Sequence, residues 1–463
     1  MSKPKIQNVI GMPDILPKDR RFYDMAEKAC EKISSYYGYQ RVETPILEFS
    51  ELFEKSTGAS SDVVQKQMYS LASEGGDRLT LRPEFTPSLV RAYIQHGMSS
   101  WTQPVKLSEF GPVFRHERPQ SGRFREFRQF ELDVFGDEDP AIDVQIISLF
   151  FRILNALGIH DVTILVNSIG CSKCKPSYRK VLREYYRGRD RSLCKDCRER
   201  KKINIFRLLD CKDEKCERMK LGAPEIVDHL CDACHTHLKS VLEMLDFLEL
   251  PYALTPHLVR GLDYYTKTVF EIFPLVSLED AAKESHDKET ASREASAQVR
   301  KIDEKEQVRP EGVKEERVVA LASGGRFDDL IEFLGGEQTP AVGGAMGIER
   351  VIAKMKELHV KVPQEKLPRV FFVHLGDFAK KKGAKLMEEF RLANIPVREA
   401  LGRSSIRSQM GLADTLGVDF AVILGHQEVA EDTVILRDMK GGSQEVIPNA
   451  KIIKELKRRL ASR

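Results

Sequence analysis

The sequence predicts an α+β protein built on an antiparallel sheet, with a helical insertion and a separate small α/β domain. Three observations support this fold class. Strand and helix patterns in the first third of the chain follow one another without regular βαβ alternation. A mainly helical, cysteine-bearing region then interrupts the chain, and regular strand–helix alternation begins only at Pro368. The predicted domains are 1–166 with 258–362, the insertion 167–257, and the α/β domain 368–463.

The first elements follow from apolar spacing and from helix breakers. Residues 19–37 carry apolar side chains at helical spacing, and a glycine is placed to end that helix. A strand over 39–47 follows and ends near Pro45. Two longer strand patterns, Val105–Phe114 and Phe124–Phe135, flank a charged loop that contains proline and glycine. They therefore predict a long antiparallel hairpin.

The later elements divide into a charged segment and a compact domain. Residues 277–317 contain no aromatic residue and almost no apolar periodicity, so they cannot bury enough surface to offset their ordering entropy. We expect disorder there, with a lone solvated helix as the alternative. In the α/β domain we expect strands at 369–375, 395–400 and 419–424 and helices at 380–393 and 405–416.

Composition sets broad limits on the class of protein. Apolar residues make up 41% of the chain, and 73 basic and 70 acidic residues give a net charge of only +3, which carries no information about RNA binding. The sequence contains no run of 18 or more apolar residues and no apolar stretch near its start that is typical of a signal peptide. We therefore expect no membrane association and a cytoplasmic location.

Two segments carry candidate binding chemistry. Arginines in Phe114–Arg118 and Gly122–Phe127 surround the hairpin, and guanidinium groups suit a triphosphate, while an aromatic residue on the return strand could stack on a base. In Ala341–Arg350, glycines that lead into a helix allow the backbone to approach a ligand closely. Taken alone, each segment is better interpreted as structural, namely a charged surface hairpin and a glycine-rich turn packed on a sheet.

Further motifs give these segments a specific meaning. Leu258–Thr266 and Ser323–Leu330 resemble the two signature peptides of histidyl-tRNA synthetases, a family of class II aminoacyl-tRNA synthetases. Leu81–Thr86 and the segment 11–17 also match that family, and the resemblance covers roughly 8–275 and 318–463. It implies ATP-dependent ligation of L-histidine to its tRNA through a histidyl adenylate, with Mg²⁺. It also implies a homodimer and an anticodon-binding role for the α/β domain.

The resemblance implies an ATP site made largely of arginines. Arg115 would hold the α-phosphate, and Arg350 would hold the γ-phosphate. Glu117 would face the adenine amino group, while Phe127 would stack on the adenine ring. Arg260 would supply positive charge to the α-phosphoryl group during attack. Arg260, Arg115 and Arg350 are therefore the expected catalytic residues.

The resemblance also implies a histidine pocket. Glu84 and Thr86 would bind the amino group, and Gln129 would lie beside the reacting carboxylate. Asp133 and Tyr265 would bind the imidazole, because a ring with a donor and an acceptor needs both kinds of partner. Family members often have glutamate at the position of Asp133. The complete expected pocket is Glu84, Thr86, Gln129, Asp133, Tyr264 and Tyr265.

Eight of the nine cysteines lie between Cys171 and Cys234. In sequence order, one four-thiolate zinc site would take Cys171, Cys174, Cys194 and Cys197, and a second would take Cys211, Cys216, Cys231 and Cys234. The family resemblance argues against a structural zinc ion, because the family is catalytically complete without a metal in this cysteine-bearing region. Reduced thiols in a helical insertion are the preferred interpretation, and no metal ligand is assigned.

Two other functions fit the sequence less well. A regulatory subunit of histidine biosynthesis would keep the fold and the histidine pocket, but such paralogues usually lack the C-terminal domain and catalytic arginines. A simple RNA-binding module would not account for the phosphate-binding arginines. Histidine-dependent pyrophosphate exchange distinguishes a synthetase from a regulator.

Overall fold

The computed structural model describes residues 6–58, 61, 63–118, 122–275, 319–363 and 368–462. The chain divides into two compact units, Met1–Pro363 and Gln364–Arg463. The predicted charged segment 277–317 lies outside the described residues. Among the helices that the structure describes, none combines the length and the apolar character that a membrane span requires.

The strands of the first unit form two sheets within the described ranges. In chain order they are β1 Gln40–Arg41, β2 Leu47–Phe49, β3 Tyr69–Ala72, β4 Arg78–Leu81, β5 Val105–Phe114, β6 Glu126–Phe135, β7 Val162–Ser168, β8 Tyr252–Leu254, β9 Thr266–Pro274, β10 Ala322–Arg326 and β11 Ala341–Gly347. The large sheet has the order β1-β5-β6-β11-β10-β9-β7-β8, and a small sheet has the order β2-β4-β3. All pairings in the large sheet are antiparallel except β1 with β5 and β7 with β8. The predicted antiparallel α+β class is confirmed.

The helices of this unit pack on the sheets or build the insertion. They are α1 Pro17–Tyr36, α2 Ser50–Ser56, α3 Thr86–Gln95, α4 Pro140–Ala156, α5 Cys174–Tyr185, α6 Lys195–Ile203, α7 Glu214–Lys220, α8 Asp232–Phe247, α9 Leu330–Phe333 and α10 Ile348–Glu357. The main core contains apolar side chains of α1, α4, α8 and α10 packed on the sheet. Helices α5, α6 and α7 lie instead around a smaller core of the insertion.

The predicted hairpin is confirmed, whereas the strand predicted before it is only partly correct. Strand β5 has the predicted bounds, and β6 begins two residues later than predicted. The segment 39–47 does not form one strand, because β1 and β2 lie in different sheets and Pro45 between them has no N–H to donate. Just before this proline, the Thr44 N–H donates to the buried Glu109 carboxylate at 3.0 Å.

The second unit is a mixed sheet with helices. Its elements are β12 Val370–His374, α11 Asp377–Leu392, β13 Val397–Glu399, α12 Ile406–Thr415, β14 Phe420–Leu424, α13 His426–Glu431, β15 Thr433–Asp438, β16 Gln444–Pro448 and α14 Asn449–Ala461. The strand order is β13-β12-β14-β15-β16, and β12 runs parallel to β13 and β14. The three strands and two helices predicted here are present, each displaced by a few residues at its ends.

Candidate active site

One face of the large sheet forms the floor of a cavity of about 170 Å³. Successive side chains of a strand point to opposite faces. In β6 the even-numbered residues 130–134 pack into the helical core, so Gln129, Glu131 and Asp133 point to the other face. Gln129 and Glu131 line the cavity.

Small residues on the neighbouring strand β11 leave room above this floor. Gly347 pairs with Gln129, and Ala345 pairs with Glu131. One step further along, Gly343 pairs with Asp133, and a Cβ atom on Gly343 would lie 1.6 Å from the Asp133 carboxylate. Gly343 is therefore needed for the close approach of the Asp133 side chain.

One end of the cavity is lined by acids and phenols. The Tyr264 hydroxyl donates to Glu84 Oε2 at 2.8 Å, and the Thr86 hydroxyl donates to Glu131 Oε1 at 2.8 Å. The other oxygen of Glu84, Oε1, is buried without a hydrogen-bond partner among the described residues, and so is Gln129 Oε1. Buried polar atoms are normally paired, so these acceptors indicate a place for donors of a ligand.

Burial controls the protonation of this acidic end. It raises the pKa of Glu84, although Arg115 and the Tyr264 hydroxyl oppose the rise. It raises the pKa of Glu131 to about 8, with the nearby Glu84 adding to the shift and the Thr86 hydrogen bond opposing it. Burial also raises the pKa of Tyr265 to about 12, which the Arg260 charge opposes. The pocket thus carries less negative charge at neutral pH than its carboxyl groups would carry in water.

The other end of the cavity is lined by arginines. Arg115 Nε donates to the Pro83 carbonyl at 2.8 Å, and its guanidinium lies 5.4 Å from the Phe127 ring centroid. Arg350 Nη1 donates to a backbone carbonyl, that of residue 320, at 3.0 Å. Burial lowers the pKa of Arg350, and the positive charges of Arg123 and Arg115 lower it further. Like charges gathered in a partly buried site favour a bound polyanion.

Arg260 lies between the two ends. Its guanidinium donates to Glu271 and, at 2.8 Å, to the Ser323 hydroxyl, and it lies 5.8 Å from the Tyr265 ring centroid. Burial alone would lower the pKa of Arg260, but Glu271 and Tyr265 raise it. Two hydrogen bonds therefore fix the planar group above the floor with its full charge.

The cavity brings together ten of the eleven predicted site residues. Those that line it are Glu84, Thr86, Arg115, Glu117, Phe127, Gln129, Arg260, Tyr264, Tyr265 and Arg350. Asp133 lies deeper on the same face, fully buried, and neither carboxylate oxygen has a partner among the described residues. Burial, followed by the charge of Glu131, raises the pKa of Asp133.

The lining residues that the sequence analysis did not assign include three that hydrogen-bond to assigned residues, namely Glu131, Glu271 and Ser323. Period-two alternation along β6 was the signal for Glu131, because it shares a face with Gln129 and Asp133. The signal for Ser323 was its position at the start of a signature peptide. We find no comparable signal in the sequence for Glu271.

The cysteines do not group in sequence order, so that expected grouping is wrong. The structure gathers Cys171, Cys174, Cys231 and Cys234 in one cluster and Cys194, Cys197, Cys211 and Cys216 in another. The insertion leaves the large sheet at β7 and returns to it through α8 and β8, which pairs with β7. Its first and last cysteine pairs therefore meet at its base, and the inner cysteines meet within it.

Comparison with protein families finds two matches in this chain. Residues 11–280 match the model described as histidyl-tRNA synthetase, and residues 369–459 match the model described as anticodon binding domain. A histidine–tRNA ligase of Dehalococcoides mccartyi is 38% identical over 98% of this chain and 100% of that protein. One of Caldicellulosiruptor saccharolyticus is 38% identical over 96% of this chain and 97% of that protein.

Solved structures give the same picture of the fold. The apo histidyl-tRNA synthetase of S. aureus aligns with a TM-score of 0.74 at 28% identity, covering 97% of this chain and 99% of that one. An ATP phosphoribosyltransferase regulatory subunit/histidyl-tRNA synthetase from Bacillus halodurans C aligns with a TM-score of 0.59. It is only 17% identical over 92% of this chain and 100% of that one, which is a likeness of fold alone.

Proposed function

The chain belongs to the histidyl-tRNA synthetase family, and from that premise we propose which of its residues carry each step of the reaction. Its activity is the ligation of L-histidine to the cognate tRNA at the expense of ATP through a histidyl adenylate. The residue roles combine the family resemblance with the geometry of the cavity.

Histidine binds at the acidic end of the cavity. Its ammonium group meets Glu84, whose Oε1 has no hydrogen-bond partner among the described residues and offers an acceptor, and the Thr86–Glu131 pair extends this acidic surface. The phenol of Tyr265 and the carboxyl of Asp133 serve the imidazole, and Tyr264 lines the pocket while bonded to Glu84. Gln129 lies beside the carboxylate that reacts. The Asp133 carboxyl is buried and has no hydrogen-bond partner among the described residues, so a hydrogen bond from an imidazole N–H would stabilise it.

ATP binds at the arginine end. Arg115 contacts the α-phosphate and Arg350 the γ-phosphate, so the repulsion between these two guanidinium groups is relieved by the ligand. Phe127 stacks on the adenine ring, and Glu117 accepts from the adenine amino group. Guanidinium forks match phosphate oxygens in geometry and charge, which gives orientation as well as affinity.

The activation step takes place above Arg260. One oxygen of the histidine carboxylate attacks the α-phosphorus and forms a new P–O bond. The bond between this phosphorus and the β-phosphate oxygen breaks, and pyrophosphate leaves with its electron pair. Negative charge grows on the α-phosphoryl oxygens, and Arg260 faces them as a fixed cation whose orientation is set by Glu271 and Ser323. The adenylate then passes its histidyl group to the terminal ribose of the tRNA.

Reactions of this family use ATP together with magnesium. The residues present fit such an ion, because the Glu271 carboxylate lies beside Arg260 in the same cavity as the other arginines and offers an oxygen ligand. Glu271 would hold the ion, which would supply positive charge to the triphosphate.

The observation that carries these assignments is one continuous cavity with an acidic, phenolic end and a guanidinium end. The test is ATP–pyrophosphate exchange driven by histidine, followed by charging of histidine tRNA. A regulatory subunit, the rival function, would bind histidine but catalyse no exchange. Histidine binding without exchange would therefore reject the assigned roles of the arginines.

A homodimer is the expected assembly. Apolar side chains stand exposed around the small sheet, namely Ile46, Leu47, Phe49 and Leu71. Exposed apolar groups this close together are typical of an interface between protein chains. Light scattering of the purified protein tests this proposal, and a monomer at micromolar concentration would reject it.

A further inference from the structure

We propose that the helical insertion holds two structural zinc ions, one in each of its two four-cysteine clusters. The first cluster is Cys171, Cys174, Cys231 and Cys234, and the second cluster is Cys194, Cys197, Cys211 and Cys216. In each cluster all four sulfur atoms lie within 4.8 Å of one another. Neither cluster takes part in the proposed ligation chemistry.

The spacing of the sulfur atoms fits a single tetrahedral ion. Four sulfur ligands at the usual zinc–sulfur distance of about 2.3 Å stand about 3.8 Å apart. In the first cluster, Cys171 Sγ lies 3.7 Å from Cys174 Sγ and 3.9 Å from Cys231 Sγ. In the second cluster, Cys194 Sγ lies 3.8 Å from Cys211 Sγ. A disulfide needs about 2.05 Å between sulfur atoms, so these cysteines are free thiols gathered at ligand spacing.

Backbone N–H groups already point at the sulfur atoms. In the first cluster, the Cys231 N–H donates to Cys174 Sγ at 3.1 Å. In the second cluster, the Cys194 N–H donates to Cys216 Sγ at 3.3 Å, and the Cys197 N–H donates to Cys194 Sγ at 3.4 Å. Such donors stabilise thiolates over thiols and orient the ligands of a metal site. Two independent features, spacing and donors, thus support the same occupant.

The insertion is a region that bound metal ions would stabilise. Its helices α6 and α7 have only 9 and 7 residues, and a small core with few elements gives little stability without a metal or a disulfide. Zinc is favoured over magnesium or calcium because all ligands are sulfur. Over an iron–sulfur cluster it is favoured because the sulfur atoms surround room for one ion only.

Both clusters are tied to the catalytic cavity. Helix α5, which begins at Cys174, carries Lys175, and its ammonium donates to the Tyr265 carbonyl at 2.5 Å. Cys194 and Cys211 of the second cluster line a cavity of about 850 Å³ that also contacts Arg115 and Arg260. The two ions would therefore stabilise segments that contact the active site rather than a remote part of the molecule.

The first experiment measures metal content of the full-length protein, purified without a metal-affinity column, by mass spectrometry. We expect two zinc ions per chain, and X-ray absorption should give four sulfur neighbours at about 2.3 Å. The matched control is Cys30→Ser, because Cys30 lies in α1 outside both clusters and should leave both ions bound. Folded protein that lacks zinc and takes none up on dialysis would overturn the proposal, as would iron in its place.

The second experiment tests the pairing of the cysteines. Replacing Cys231 and Cys234 by serine should remove one ion. Replacing Cys171 and Cys174 as well should remove no further ion, because the second cluster is untouched. If the sites followed sequence order, this fourfold variant would lose both ions.

A third measurement needs no variant. Stripping zinc from the wild-type protein with a mercurial and a chelator should expose 171–234 to trypsin, while the C-terminal unit keeps its resistance. Restoring zinc should restore protection of the insertion. Unchanged trypsin resistance of the insertion after complete stripping would contradict a structural role.

Discussion

The substitution Arg260→Lys tests the assigned centre of catalysis most directly. The arginine donates from separate nitrogens to Glu271 and to Ser323, the latter at 2.8 Å. A lysine keeps the charge but has a single nitrogen, so it cannot hold both partners in the plane of the guanidinium. We expect the positive charge to remain in the cavity while its orientation toward the α-phosphoryl group is lost.

The size of the effect follows from that geometry. Loss of one oriented donor to a developing oxyanion typically lowers kcat by about 10²–10³-fold, or about 3–4 kcal/mol. The hydrogen bonds that Arg260 makes with described residues go to Glu271 and Ser323, and neither of these residues is assigned to histidine binding. The KM for histidine should therefore change by less than about threefold, since only binding in the transition state is affected.

The assay is pyrophosphate exchange at saturating histidine and ATP, together with calorimetric titration of histidine. Arg183→Lys is the matched control, because Arg183 is exposed on α5 and should give wild-type rates. Ser323→Ala removes one of the two partners and should reduce the rate less than Arg260→Lys does. A folded Arg260→Lys enzyme with an exchange rate near that of the wild type would refute the role given to the guanidinium.

Three further predictions concern other parts of the protein. Asp133→Asn should raise the KM for histidine by about tenfold, because an amide does not accept from the imidazole N–H in the same way as the buried carboxyl; an unchanged KM would show that another group binds the imidazole. The raised pKa of Glu131, about 8, means that the folded state binds more protons than the unfolded state at neutral pH. The free energy of unfolding of ligand-free protein should therefore fall as pH rises through the interval from about pH 5 to 8, and Glu131→Gln should reduce this slope in urea titrations; parallel slopes would contradict it. Removing the unit Gln364–Arg463 should spare exchange but reduce tRNA charging at least about a hundredfold and weaken its salt dependence, provided that the assembly is unchanged; equal losses would reject this division of labour.

Local elements were predictable where one pattern dominated. The hairpin could be predicted because its apolar alternation is long and ends at turn residues, and β5 has the predicted bounds Val105–Phe114. The segment 39–47 could not, because its register depends on two different sheets. Pairing of β1 with β5 and of β2 with β4 is decided by the tertiary structure, which local propensity does not contain.

The candidate site divides in a similar way. Motif resemblance named ten residues that line the cavity, but it passed over Glu131, where the chain has a carboxylate on the same face as Gln129. The cysteine grouping failed for a different reason. The spacing of cysteines in sequence shows which of them are close within a few residues. It does not show that Cys171 meets Cys231, 60 residues later, which happens because β8 returns to pair with β7.

The charged residues at the two ends of the cavity share one physical property. Burial raises the pKa of both Glu131 and Asp133, and the charge of Glu131 raises that of Asp133 further, while Arg115 and Arg350 are cations that repel one another. In the absence of ligand, each set lowers the stability of the fold, which no rule for packing a core would favour. Histidine brings donors to the acids, and ATP brings anions to the arginines, so both substrates remove the repulsion that the folded chain retains. The electrostatic cost is thus located where binding can offset it, and this is why the two ends of one cavity carry opposite charge.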